Sequence, residues 1–266
     1  MPILDFHAHI YPDAIACKAA ASIGEFYDIP MRHDGTLQRM LDLDAQAGIT
    51  HALVCSVAVA WEKASRINDF IASCAAAHPT LYGFATIHPG HPHIAEEIDR
   101  AISLGLQGVK LHPDFQHFNI DDEKAFPIYE AVEGRVPLLV HTGDRRYEFS
   151  RPERMARVLD RFPRMQAVCA HLGGWSVWED AHKVLAGRPN VWVDTSSSLY
   201  AVPVDRAREI ILHYGVDRVL FGTDYPMWTP GEELQKLRAL GFSREDMEKM
   251  LWGNGASLLG LKEAET

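Results

Sequence analysis

Apolar and polar positions alternate along the chain in two rhythms. Short runs rich in Val, Ile, Leu and Phe recur as ILDFHAH, HALVCSV, YGFATIHP, QGVKLHP, PLLVHTG, QAVCAHLGG, NVWVDTS and RVLFGTDYP. Each is short and bounded by polar or turn residues, as a buried strand is. Between them lie stretches with apolar residues at helical spacing, among them TLQRMLDLDAQAG, ASRINDFIASCAAAH, HIAEEIDRAISLG and EKAFPIYEAVEGR. Regular alternation of strand and helix implies parallel strands joined by right-handed crossovers. Eight units in 266 residues match an α/β fold of the (β/α)8 TIM-barrel type. A doubly wound open sheet would carry a glycine-rich phosphate loop after its first strand, and no GxGxxG stands there. The tail SREDMEKMLWGNGASLLGL predicts one or two extra C-terminal helices, and no linker or composition break divides residues 1–266, which read as one domain.

Composition narrows the partners. An apolar share of 47% suffices for a sizeable core. A formal net charge of −10 argues against a nucleic-acid or anionic-membrane partner, because phosphate binding needs a basic face. An acidic ligand would have to be met by local arginines. No apolar run approaches the ~20 residues that span a bilayer, and the N-terminus lacks a secretory pattern, so the expectation is a soluble, cytoplasmic protein. The four cysteines, Cys17, Cys55, Cys74 and Cys169, show no CxxC spacing and read as reduced thiols.

The candidate chemistry lies at strand ends, where a barrel of this kind gathers its site. In DFHAH, strand alternation would project Asp5, His7 and His9 from one face. His9, His88, Lys110, His112, His141, His171, Asp194 and Asp224 also fall at or near strand ends. Imidazole nitrogens with carboxylate oxygens suit zinc, manganese or iron, at a site with an open position. Several of these residues also admit plainer readings. The HP pairs at His88 and His112 can simply terminate strands, Asp194 can cap the next turn, and Arg145 and Arg146 can pair with Glu148 and Glu153 in a solvated loop instead of binding a substrate carboxylate.

DFHAH on the first strand, a histidine closing the fifth, HLGG after the sixth and GTDYP after the eighth resemble the amidohydrolase superfamily, in particular its aminocarboxymuconate-semialdehyde decarboxylase-like branch. The ending GNGASLLGL is similar to that family's ending too. The resemblance implies one divalent ion, zinc ahead of manganese, held by His7, His9 and His141, with Asp224 a fourth ligand or the proton-handling carboxylate. It implies His171 as general base or substrate-orienting group, Asp5 as a partner behind the ligands, and a homodimer. Lys110 departs from the decarboxylase pattern. It would either form a carbamate bridging two metals or stay charged, stand away from a single metal and pair with a substrate carboxylate.

The leading expectation is therefore a metal-dependent hydrolase of a small carboxylated ester, lactone or amide, with Lys110, Arg145 and Arg146 on the acid. The alternatives are a non-oxidative decarboxylase of an aromatic or enoic acid and a catalytically silent barrel that binds a metabolite.

Overall fold

The computed structural model describes residues 1–261. The barrel strands are β1 (Leu4–His9), β2 (His51–Cys55), β3 (Leu81–Gly83 and Ala85–Thr86, interrupted at Phe84), β4 (Val109–Leu111), β5 (Leu138–Val140), β6 (Ala167–Cys169), β7 (Val191–Asp194) and β8 (Val219–Leu220). Neighbours pair in parallel. The circle closes where Phe6 N donates to Phe221 O (2.8 Å), Asp224 N to His7 O (2.7 Å) and His9 N to Tyr225 O (2.7 Å). The (β/α)8 barrel is thus the fold. Among the described residues, no helix is long and apolar enough to cross a membrane, and all four cysteines are free.

Strand alternation sorts the core into two layers. Leu4, Phe6, Phe84, Leu139, Val168 and Leu220 form one buried cluster, filling the lumen. Ile3, Val54, Val109, Leu111, Val140 and Val219 belong to the other, packed against the helices. The lumen plug puts the inward residues one pleat nearer the C-terminal rim in a dry, walled space, and those residues are polar.

The four helices read from periodicity are present as Leu37–Ala47, Ala64–Ala77, Ile94–Ser103 and Phe126–Val132. The first shows why its bounds lie where they do. Thr36 accepts a hydrogen bond from Arg39 N at the start, and Gly48 takes a left-handed φ of 73° at the end, where a Cβ would be strained. The tail adds Arg244–Glu248 and Asn254–Leu258, joined by a π-helical turn over Lys249–Gly253. Helix Asp13–Tyr27, directly after β1, is additional to the sequence expectation.

One expectation is corrected. Asp5, His7 and His9 do not share a face, because the β1 register slips between Asp5 and Ala8: Asp5 pairs with Ala52, but Ala8 with Val54. One extra residue on β1 is a bulge, and it reverses the alternation. His7 and His9 point inward, and Asp5 points away. There Asp5 Oδ1 accepts from His7 N and Thr223 N, both at 3.0 Å, and Oδ2 accepts from Thr223 Oγ1 at 2.5 Å. The carboxylate fastens the bulge to β8 from behind, consistent with a supporting place and not a ligand's.

Candidate metal centre

At the C-terminal ends of β1 and β8 three ligand atoms form a triangle. His7 Nε2 lies 3.2 Å from His9 Nε2. Asp224 Oδ1 lies 3.5 Å from His9 Nε2 and 3.8 Å from His7 Nε2. Four-coordinate zinc with its usual bond lengths separates neighbouring ligand atoms by about 3.3 Å, so the triangle has the size of one face of such a site. Glycine at 222 makes the convergence possible, since a Cβ there would meet His7 Cβ at 3.0 Å and Ser196 Cβ at 3.3 Å.

The tautomers suit an ion as well. His7 Nδ1 lies 2.9 Å from Asp194 Oδ2. A carboxylate only accepts, so Nδ1 carries the proton and Nε2 is left with its lone pair toward the triangle. Asp194 is completely buried. Burial opposes its ionisation, but His7 beside it and the hydrogen bonds from His7 and Ser196 hold its pKa well below the usual carboxylate range. Its other oxygen accepts from His171 N (3.0 Å), Ser196 N (3.1 Å) and Ser196 Oγ (2.5 Å). Asp194 therefore both caps its loop and orients His7. His9 Nδ1 has a weaker partner, Cys55 Sγ at 3.6 Å. Burial pushes the Cys55 thiol up to about 12, which keeps it protonated.

His171 stacks on His7 with ring centroids 5.2 Å apart. Burial lowers its pKa to about 4, so it is neutral at pH 7. Its Nε2 lies 3.0 Å from His141 Nδ1. His141 Nε2 faces Gly143 O at 3.2 Å and Asp114 Oδ2 at 3.6 Å. Both His141 nitrogens are thus engaged in the wall, and its link to the triangle runs through His171. His112, His141 and Asp114 also bring ligand atoms together. The two rings stack at 4.0 Å and 11°, however, so their in-plane lone pairs run parallel and do not meet at one ion. Burial pushes the Asp114 carboxyl up to about 7, and its Oδ1 has no hydrogen-bond partner among the described residues.

Lys110 points inward from β4 and is fully buried. Its Nζ lies 2.8 Å from His7 Nε2, so it does not stand away from the ligand atoms as expected. Burial lowers its pKa. His88 is a turn residue whose Nδ1 accepts from Gly90 N at 3.0 Å.

The mouth is aromatic. Tyr27, at the end of helix Asp13–Tyr27, reaches His112 Nε2 with its hydroxyl (2.8 Å) and packs edge-on to Trp175 (4.9 Å) and across His141 (6.2 Å). Arg146 is not free for a ligand. Its Nε and Nη2 bind the buried Asp144 carboxylate at 3.0 and 2.7 Å, its Nη1 donates to Phe26 O at 2.6 Å, and its guanidinium lies over Phe26, Tyr27, Tyr147 and Trp175. Glu148 pairs with Arg151 instead. Arg145 is exposed, its backbone N bound to Ser176 Oγ. Tyr27, Trp175, Asp114, Ser196 and Ser197 were not among the candidates; only the hydroxyl-rich run DTSSS at a strand end could have signalled the serines.

Comparison with known proteins agrees with the geometry. A family model described as Amidohydrolase matches residues 4–261. A gamma-resorcylate decarboxylase of Polaromonas sp. is 24% identical over 260 residues, covering 75% of this chain and 77% of that one. A 2-amino-3-carboxymuconate-6-semialdehyde decarboxylase of Dictyostelium discoideum is 24% identical over 254 residues, covering 76% and 67%. The crystal structure of a dihydroxybenzoic acid decarboxylase from Polaromonas sp. JS666, with bound manganese and 2-nitroresorcinol, superposes with a TM-score of 0.76 at 19% identity, covering 99% of this chain and 98% of that one.

Proposed function

The chain belongs to the amidohydrolase family, and from that premise we propose that it is a metal-dependent, non-oxidative decarboxylase of a small aromatic or enoic acid. Hydrolysis of an ester, lactone or amide, the first expectation from sequence, gives way because the relatives named above are decarboxylases. The observation that carries the reading is the wall of flat side chains beside the ligand triangle, joined to it through His141 and His171. Tyr27, Trp175, Phe115 and the His112–His141 stack bound the mouth with ring faces and edges, which suits a planar conjugated acid.

His7, His9 and Asp224 are the residues that would hold the ion, zinc or manganese; His141, which the family resemblance implies as a further ligand, has both nitrogens turned to the wall and stands behind His171 instead. When bound, the ion supplies positive charge that binds and orients the oxygens of the acid. His171, neutral in the free protein, takes up a proton as the anionic acid binds beside it and passes that proton to the carbon that bears the carboxylate. The carbon–carboxyl bond then breaks, its electron pair returns to the conjugated system, and carbon dioxide leaves. His141, hydrogen-bonded to His171, reloads the proton. With an ion held at His7 Nε2, Lys110 would lose that partner, and its ammonium would be free to pair with the substrate carboxylate. Arg145, exposed at the rim, draws acids toward the mouth against the overall negative charge.

Protein loaded with zinc or manganese should be offered hydroxybenzoates, conjugated enoic acids and carboxylated lactones, with carbon dioxide and acid measured in parallel. Carbon dioxide release with proton uptake is the expected result. Acid release from a lactone without carbon dioxide would restore the hydrolase reading, and binding without turnover would leave a silent barrel.

A further inference from the structure

The loop after β7 reads Asp194-Thr195-Ser196-Ser197-Ser198, and its three serine hydroxyls have separate partners. Ser196 Oγ serves the His7 side, lying 3.0 Å from His7 Nδ1 and 2.9 Å from His171 Nδ1. Ser198 Oγ donates to Ser196 O at 3.0 Å and accepts from Trp178 Nε1 at 3.2 Å, which fixes the loop from outside. Ser197 is different: its Oγ binds Asp224 Oδ2, the oxygen that faces away from the ligand triangle.

The direction of that bond is determined by what stands behind it. Trp228 Nε1 lies 2.8 Å from Ser197 Oγ, and an indole N–H can only donate. The hydroxyl accepts from Trp228, and its single proton is left for Asp224; the alternative acceptor, Met227 Sδ at 3.6 Å, is a weak one. Ser197 and Trp228 are both buried, so water does not compete. Ser197 and Asp224 hold left-handed φ values of 45° and 59°, a conformation that persists in non-glycine residues only where the surroundings over-determine it.

We propose that Ser197, held by Trp228, is the positioning residue that turns Asp224 so that one oxygen is tied down and the other is presented beside His7 and His9. The inference rests on the ion site proposed above. It assigns ion affinity to two residues that would not touch the ion, through the chain Trp228 N–H to Ser197 O–H to the Asp224 carboxylate.

The test is competition between the full-length protein and a chromophoric chelator for zinc, and separately for manganese. Ser197→Ala should weaken ion affinity by roughly 10–100-fold, the usual cost of removing a hydrogen-bond partner from a ligand, while the metal-free Tm changes little. Trp228→Phe keeps the ring, removes the donor and should give a smaller loss. The double variant should bind no more weakly than Ser197→Ala, because Trp228 acts through Ser197. If Ser197→Ala fails to fold, Ser197→Gly removes the same hydroxyl while relieving the positive φ, and Trp228→Phe stands independently. Wild-type affinity in the serine variant, or additive losses in the double variant, would overturn the inference. Wild-type protein that takes up neither ion would overturn the metal reading itself, and this inference with it.

Discussion

At the scale of single residues, the proposed ion site is two imidazoles and a carboxylate, each held by something else. His7 depends on Asp194, and the dependence is a matter of proton position. In Asp194→Asn, the amide oxygen is the natural acceptor for His171 N, Ser196 N and Ser196 Oγ, so the NH2 group would face His7 Nδ1. His7 would then protonate at Nε2, the atom proposed to hold the ion. Ion affinity in the chelator assay should fall by roughly 10–100-fold in a folded protein, and unchanged affinity would mean that His7 takes its tautomer from elsewhere. The residues that could be read from sequence were those whose type announces chemistry: His7, His9, His171 and Asp224. Asp194 could not be separated from a residue that caps the next turn, because its decisive partner lies 187 positions away. Arg146 misled for a related reason. A guanidinium after a strand end suggests a substrate carboxylate, but Asp144, two residues earlier, supplies the carboxylate from within.

At the scale of elements, strands and crossover helices were legible because each repeats one period. The β1 bulge was not, since no glycine marks it and the group that fastens it, Thr223, lies 218 positions downstream. Helix Asp13–Tyr27 is hard to read from the sequence because it follows the first strand within four residues and belongs to the mouth, not to the regular outer ring. Its last turn is latched by Arg146, which donates to Phe26 O, a helix C-terminal carbonyl that otherwise has few partners. Arg146→Lys keeps the charge but loses the planar fork and the stacking. Amide hydrogen exchange near residues 22–28 should accelerate several-fold in that variant, with the barrel strands unaffected. Uniform acceleration would show a general loss of stability, and no change would show that Tyr27 and its ring neighbours hold the helix unaided.

At the scale of the whole molecule, the barrel buries carboxyl groups that it keeps uncharged, and the chain's stability carries their signature. Asp44, on the inner side of helix Leu37–Ala47, is 5% exposed, and its Oδ1 has no hydrogen-bond partner among the described residues. Burial first, and the nearby Asp5 second, push its pKa from an ordinary 3.8 up to about 8. Between about pH 4 and about pH 8 the unfolded chain has released this proton and the folded chain still holds it. The folded state binds more protons across that window, so stability falls as pH rises through it and levels off above. The slope approaches ~1.4 kcal/mol per pH unit for one such group. Asp44→Asn keeps the shape and cannot ionise. The variant's Tm should therefore exceed the wild type's by a margin that widens from pH 5 to pH 8, at about 2–4 °C per kcal/mol in a chain of this size. A margin that stays constant over that range would mean that Asp44 is already ionised in the folded protein, with a partner for its charge.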